Sequence, residues 1–483
     1  MQKAKPQIAI LGAGFSGIGV AIELKKAGID SFTIYEKGDG VGGCWRYTTY
    51  PGVACDVPSH LYCFSYEPNP NWSRVYSPGH EIRAYIEACA EKYDLMRHLQ
   101  PNVEIATIKF IDKKWQMRDK KGNLYVADIV IPALGPLHTP KYPDIKGISD
   151  FAGVSFHSAR WNHSHDLQGK RVAVIGNGSS GVQIIPEVAK VADHVTVFSR
   201  TPGWVMPRRD RAYTEEEKSR FRRFPILMRF LYELLFWDWE SRYGYLKKNS
   251  WRNSYYSKKI LSYMQASIKS PEIRDAIIPD YSLGCKRLIV SSDYLPALQR
   301  PNVTLVTQSI DHVCQDGAVT NDSVKHNFDT LILATGYKAF DISKVIDIVG
   351  PEGVELKKVW GTRYVTHRTT AIPGFPNLFI MLGPNTGLGY SSMTVVIEAQ
   401  AKYIARCIEE LIRSGANIMM PRQEPAEKLY RYIQDSLGKT VLSESCRAWY
   451  KDENGKVHSI WPNRTLEYRR LLKKPKLDEF ELK

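Results

Sequence analysis

Residues 7–17 read Gln-Ile-Ala-Ile-Leu-Gly-Ala-Gly-Phe-Ser-Gly, a short apolar run that empties into Gly12, Gly14 and Gly17. A helix-like stretch then continues to Ala27 and stops at Gly28, and residues 31–35 form a second strand-like run ending in Glu36. Strand, glycine turn, helix and strand are the context that gives G-x-G-x-x-G its meaning. The first glycine permits a tight turn, the second lets backbone approach a pyrophosphate, and the third lets the helix pack on the strand. Amides at the helix N-terminus then face the phosphates. Glu36 lies 24 residues after Gly12, where a carboxylate accepts ribose hydroxyls.

The same ruler applies a second time. Residues 171–175 are a strand, Gly176-Asn177-Gly178-Ser179-Ser180-Gly181 is the turn, and residues 194–198 are the following strand. Counting 24 residues from Gly176 lands on Arg200. A carboxylate repels a 2′-phosphate, whereas a guanidinium attracts one. The first turn therefore reads as an FAD site and the second as an NADPH site. The expected fold class is α/β, with two Rossmann-like dinucleotide-binding domains and a helical insert.

Composition limits the alternatives. The 483 residues are 43% hydrophobic and 24% charged, as in ordinary globular chains, which excludes a disordered or collagen-like protein. That length corresponds to roughly three domain equivalents at ~150 residues each. The eight cysteines form no C-x-x-C pair, so neither a metal site nor a redox-active dithiol is expected, and scattered thiols fit a reducing cytoplasm. Lys3 and Lys5 before an apolar run imitate a signal peptide, but the glycine spacing in that run argues for the nucleotide turn. No apolar stretch reaches the ~18 residues of a membrane span. The net charge of +15 suits anionic small molecules; no nucleic-acid-binding module accompanies it, and weak contact with an anionic membrane surface stays open.

With both turns in place, the chain resembles the class B flavin-dependent monooxygenases, in their Baeyer–Villiger branch. Residues 151–161 match the branch's F-x-G-x-x-x-H-x-x-x-W fingerprint through Phe151, Gly153, His157 and Trp161, with Asn162 where the pattern continues with Pro or Asp. Gly42-Gly43-Cys44-Trp45, Tyr50-Pro51-Gly52 up to Asp56, Cys285-Lys286-Arg287, Ala334-Thr335-Gly336-Tyr337 and residues 383–389 are similar to further family segments. The likeness runs from residue 10 to about 465 and so covers nearly the whole chain.

The resemblance implies an NADPH- and O2-dependent monooxygenase that converts a ketone to an ester or lactone through a flavin C4a-peroxide, with sulfoxidation as a side reaction. It implies Arg287 and Asp56 as catalytic residues. Gly43, Trp45, Asn385, Thr386 and Gly387 would join Gly12, Gly14, Gly17 and Glu36 around FAD. Thr201 and Lys286 would join Gly176, Gly178, Ser179, Ser180, Gly181 and Arg200 around NADP. His157 would serve the linkage between domains rather than proton transfer, and Trp449 the substrate pocket, although a core aromatic fits it equally. The rival readings are an N- or S-oxygenating flavin monooxygenase, a disulfide reductase, which the missing cysteine pair opposes, and a non-catalytic redox sensor or membrane-surface adaptor.

The expected organisation is a flavin domain in two parts, residues 1–142 and 329–483, around a nicotinamide domain at 143–328. Residues 213–275 form a helical insert in the latter. Within it, residues 224–237 carry apolar residues at helical spacing, expected to pack inward, with a membrane or substrate-entry surface as the second reading.

Overall fold

The computed structural model describes residues 5–338, 342–446, 448–452 and 454–483. Near the N-terminus, β1 (Ile8–Leu11), α1 (Phe15–Lys26) and β2 (Phe32–Tyr35) form the expected unit. Gly28 takes φ +71°, the left-handed conformation that ends α1 just past Ala27. β3 (Ile129–Pro132) lies on the other side of β1, and β1 pairs parallel with both neighbours. Every residue of β1 and β3 is buried, as a parallel sheet covered on both faces requires. An antiparallel sheet at Ile105–Ile111, Lys114–Asp119 and Leu124–Ala127 fills the interval between β2 and β3.

The second unit comprises β4 (Val154–His157), β5 (Arg171–Ile175), α2 (Gly181–Val188), β6 (His194–Phe198), β7 (Val303–Val306) and β8 (Thr330–Leu333). Its sheet is parallel throughout, in the order β7-β6-β5-β8-β4. In both units the glycine turn follows the strand flanked on one side by its successor and on the other by a late arrival. That is the switch point at which open α/β sheets bind ligands.

The insert between β6 and β7 is helical as expected, including α3 (Pro225–Ser241) and α4 (Trp251–Ser267). The expectation that residues 224–237 pack inward holds for one narrow face only. Met228, Phe236 and Trp239 are buried, whereas Phe224, Ile226, Leu227, Phe230, Leu234 and Trp237 are exposed. The helix is apolar almost all round, and a 3.6-residue period cannot say which side meets the core.

The chain crosses between the units twice, and the crossings run side by side. Lys141 N–H donates to the Gly336 carbonyl (2.9 Å), Lys338 N–H to the Thr139 carbonyl (2.9 Å), and Thr335 Oγ1 to the Lys141 carbonyl (2.6 Å). The second crossing differs from the expected boundary at 328/329. β8 pairs with β4 and β5, so the chain leaves the second sheet only after Leu333. It rejoins the first sheet where Phe379 N–H bonds the Val130 carbonyl (3.0 Å). α5 (Met393–Ser414) follows, with Ser392 as N-cap. It packs along α1, and a Cβ on Gly19 would lie 3.1 Å from Ile397 Cγ2, so that glycine sets the helix spacing.

Candidate active site between two dinucleotide cradles

In the first cradle Gly12 has φ +108°, and a Cβ there would stand 2.7 Å from the Ala133 carbonyl oxygen. A Cβ on Gly17 would stand 1.8 Å from the Gly12 oxygen. The first and third glycines are thus obligatory for the turn. Gly14 faces Gly43, whose own Cβ would come within 2.8 Å of the Gly14 Cα at φ +55°. Glu36 is buried at the end of β2; Oε2 accepts from Ala13 N–H (2.8 Å) and Oε1 from Gly38 N–H (2.9 Å). The carboxylate therefore ties strand to turn, and each oxygen keeps further acceptor capacity for a ribose. The side-chain-free surface at Gly14 and the anchored carboxylate fit the adenosine diphosphate half of FAD.

The second cradle repeats the outer glycines. A Cβ on Gly176 (φ +111°) would meet the Ala334 oxygen at 2.5 Å, and one on Gly181 would meet the Gly176 oxygen at 2.0 Å. Gly178 differs, because a Cβ there meets nothing within 4 Å. Ser179 and Ser180 lead directly into α2, so their amides lie at its N-terminus. Asn177 Nδ2 donates to Ser199 Oγ (2.7 Å) and the Thr201 carbonyl (2.9 Å), which fixes the turn to the segment carrying Arg200. Arg200 is exposed. Lys286 Nζ lies 4.6 Å from the Tyr281 ring centroid. Burial, with the Arg200 charge adding to it, pulls the Lys286 pKa below the ordinary lysine value, against the opposing pull of Asp280. The positive charges of Arg200 and Lys286 thus act on each other.

Between the cradles the structure joins residues 231 apart in sequence. Arg287 Nη2 and Nε donate to the same Asp56 oxygen, Oδ2, at 2.7 and 3.2 Å. Asp56 raises the Arg287 pKa above the ordinary guanidinium value, against the cost of burial. Both residues line a small cavity of about 30 Å³ together with Trp239, Arg242, Tyr245 and Tyr390. The last four carry no signal in the sequence, since three of them sit in the helical insert without a motif. A larger cavity of about 460 Å³ adjoins Trp45, Tyr50, Gln183 and Arg208. Gln183 is likewise silent in the sequence. It accepts from Tyr50 OH (2.8 Å) and donates to the Ala54 carbonyl (3.0 Å), clamping the 50–54 segment to α2. Gly52 (φ +80°) makes that approach possible, since its Cβ would lie 2.9 Å from the Gln183 oxygen. Trp45 Nε1 donates to Tyr62 OH (3.2 Å). Burial pushes the neighbouring Cys44 thiol up to about 11, which leaves it unreactive.

The fingerprint acquires a physical meaning. The Phe151 ring packs on Phe328, centroids 5.1 Å apart, and a Cβ on Gly153 would strike both the Asp329 oxygen (2.4 Å) and the Phe151 ring (2.5 Å). Trp161 meets Phe156 edge-on at 5.0 Å. His157 is buried between Tyr142 of one crossing segment and Tyr337 of the other, at 5.5 and 6.1 Å. Its Nδ1 accepts from Ala159 N–H (3.0 Å), and burial holds its pKa below the usual histidine value. The buried histidine thus packs against both crossing segments.

The remaining expected residues lie near the loop before α5 and beside the Arg287 segment. Asn385 and Thr386 are buried with their side chains spent on backbone: Asn385 Nδ2 donates to the Ile460 carbonyl (3.2 Å) and Thr386 Oγ1 to the Gly383 carbonyl (2.6 Å). With Gly387 N–H on the Ser459 carbonyl (2.7 Å), they fix the shape of the loop before α5. Trp449 is half exposed and lines neither cavity. Its neighbour Tyr450 is buried and donates to the Cys285 carbonyl. The cysteines are also not all scattered thiols. Cys285 and Cys446, 161 residues apart with Cα atoms 6.3 Å apart, form a disulfide that joins the Arg287 segment to the loop before Trp449. Among the described residues no cluster of side chains could hold a metal ion.

Comparison with known proteins agrees with this geometry. The flavin-binding monooxygenase-like family profile matches residues 5–463. A Baeyer–Villiger monooxygenase of Pseudomonas aeruginosa is 38% identical over 473 residues, covering 96% of this chain and 89% of that protein. One from Streptomyces coelicolor is 38% identical over 480 residues, covering 99% and 92%. Among solved structures, the monooxygenase OTEMO in complex with FAD and NADP superposes with a TM-score of 0.89 at 26% identity, covering 99% of this chain and 100% of that one. The NADP+-bound cyclohexanone monooxygenase of Rhodococcus sp. Phi1 gives 0.88 at 26%, covering 99% of each. Two glycine cradles of opposite charge character and a family match over nearly the whole length lead to one identification: the chain belongs to the flavin-binding monooxygenase-like family, in its Baeyer–Villiger branch, and is an FAD- and NADPH-dependent monooxygenase.

Proposed function

We propose that this enzyme inserts one oxygen atom beside the carbonyl of a small-molecule ketone to give an ester or lactone. The observation that carries the reading is the Asp56–Arg287 pair, a fixed cation in a cavity lined by residues of both units. FAD held in the first cradle would supply the activation of O2, with reducing equivalents from NADPH held in the second. Arg287 stays charged at any relevant pH and directs its guanidinium toward negative charge that develops on the substrate carbonyl oxygen. Asp56 holds that guanidinium through a single oxygen and so sets its orientation without occupying every donor. Glu36 would hold the ribose of the flavin nucleotide, and Arg200, Thr201 and Lys286 the 2′-phosphate of NADPH. The names of the bacterial relatives support the same chemistry.

The test is product analysis with purified holoenzyme, NADPH and isotopically labelled O2 on a panel of ketones, a sulfide and a tertiary amine. Ester or lactone carrying one labelled atom is expected; sulfoxide or N-oxide alone overturns the ketone assignment. Arg287→Ala retains flavin and lowers ester formation at least ~100-fold, the scale of losing one group that stabilises a developing oxyanion. Unchanged ester formation in that variant removes Arg287 from the mechanism.

A further inference from the structure

We propose that the outer face of α3, with Trp251 and Tyr255 at the start of α4, seats on an anionic lipid surface. On α3 the outward residues Ile226, Phe230, Leu234 and Trp237 are 67%, 62%, 53% and 54% exposed, and on α4 Trp251 is 72% exposed. The α3 positions recur at three- and four-residue steps, so they form one stripe along the helix. Arg252 brings the two helices' ends together by donating from Nη1 to the Ser241 carbonyl (3.3 Å). Apolar residues of this size arrayed on one exposed face mark an interaction surface rather than ordinary surface scatter.

Charge selects the occupant. Residues 221–259 hold nine Lys and Arg against three acidic residues. One of the three, Glu240, is buried, where it accepts from Thr465 Oγ1. Another, Asp238, is paired with Arg242. Arg222, Arg223, Arg229, Lys247, Lys248 and Lys259 remain exposed. Exposed aromatics carry cations directly: Arg223 over Phe224 (5.3 Å), Arg252 over Trp251 (5.4 Å) and Lys259 over Tyr255 (5.9 Å). Apolar and aromatic side chains interleaved with snorkelling cations match the boundary between acyl chains and anionic headgroups. Among the described residues no helix is long and apolar enough to cross a membrane, so the contact is peripheral. The inner side of the same insert places Trp239, Arg242 and Tyr245 around the Arg287 cavity. The surface thus lies on the back of the site's own wall, which suits a substrate drawn from the lipid phase. The docking itself does not depend on the ketone assignment.

The experiment is flotation of the full-length holoenzyme with vesicles of phosphatidylglycerol and phosphatidylcholine, against vesicles of phosphatidylcholine alone. At least tenfold more protein is expected on the anionic vesicles, with release at about 0.5 M salt as screening shortens to a few Å. The double substitution Phe230→Ser with Trp237→Ser lowers that binding at least tenfold, while melting temperature and turnover of a water-soluble ketone stay unchanged. Arg229→Glu lowers the preference for anionic over neutral vesicles. Absence of flotation, equal binding to both vesicles, or equal binding of the double variant overturns the proposal. So does a concentration-dependent dimer that the double substitution abolishes, because the face is then a contact between copies of this chain.

Discussion

The two glycine cradles share a motif and differ in their surroundings. Gly12 and Gly176 have nearly the same φ, +108° and +111°, and each abuts the carbonyl oxygen of an alanine, Ala133 or Ala334. Gly17 and Gly181 each press on the carbonyl of the motif's first glycine. Those four positions are dictated by the strand–turn–helix itself. The middle glycines report the ligand side. Gly14 is closed over by Gly43, with a buried glutamate behind the turn, whereas Gly178 opens onto free space beside an exposed arginine. The first cradle is therefore the more enclosed of the two at its middle glycine.

Closing the first cradle is therefore where substitution costs most. Gly43→Ala forces a side chain onto φ +55° and against the Gly14 Cα. The strain is about 1–3 kcal/mol, and the enzyme is expected to purify with little bound flavin. Retention of a full complement of FAD, read from the visible absorbance per protein, would show that the lid over Gly14 is dispensable.

Charge comes next. Arg200→Ala removes a charge-assisted contact and raises KM for NADPH about 10–100-fold, the equivalent of ~1.5–3 kcal/mol, with less than about threefold effect on NADH. An equal loss with both nicotinamides refutes 2′-phosphate recognition and removes the charge contrast between the cradles. Gly178→Ala is a smaller and cleaner probe. Nothing in the protein opposes its Cβ, so the variant's stability stays within ~0.5 kcal/mol of the parent's, read from the melting temperature. KM for NADPH nevertheless rises about tenfold where the pyrophosphate meets the new methyl. A simultaneous loss of stability would mean that the open space is already occupied by protein in solution.

Much of this contrast is legible in the amino-acid sequence itself. Strands at 171–175 and 194–198 and the stop at Gly28 are readable because buried parallel strands are short apolar runs and helix ends favour glycine. The opposite charges at Glu36 and Arg200 follow from counting. Other features depend on chain paths that one sequence does not encode locally. β8 reads as the start of the returning segment but pairs with β4 and β5. The Cys285–Cys446 bridge spans 161 residues, and no local spacing announces it. The Asp56–Arg287 pair is reached only through family resemblance, and Trp239, Arg242 and Tyr245 not at all, because the insert's helices choose their inner face by tertiary packing. The bond from Asn385 Nδ2 to the Ile460 carbonyl is likewise silent in the sequence, because its partner lies 75 residues away.

The finest test of the comparison is pH, because the 2′-phosphate site proposed for the second cradle includes a titratable cation. Lys286 has its pKa lowered chiefly by burial, with Arg200 adding repulsion and Asp280 opposing. A lysine shifted this way is charged at low pH and loses its proton before the ordinary value of about 10.4. The free enzyme's ionisations appear in kcat/KM, so kcat/KM for NADPH is expected to fall by a few-fold along an alkaline limb that begins below that value. The limb reflects loss of a charge facing the 2′-phosphate, so kcat/KM for NADH should show none. Lys286→Arg keeps a cation that does not titrate in this range and should remove the limb while leaving neutral-pH kcat/KM nearly intact. Arg200→Ala removes the like charge and should move the limb to higher pH while lowering kcat/KM throughout. The same limb with NADH, or its survival in Lys286→Arg, would assign the ionisation to another group and leave Arg200 as the cation that distinguishes the two cradles.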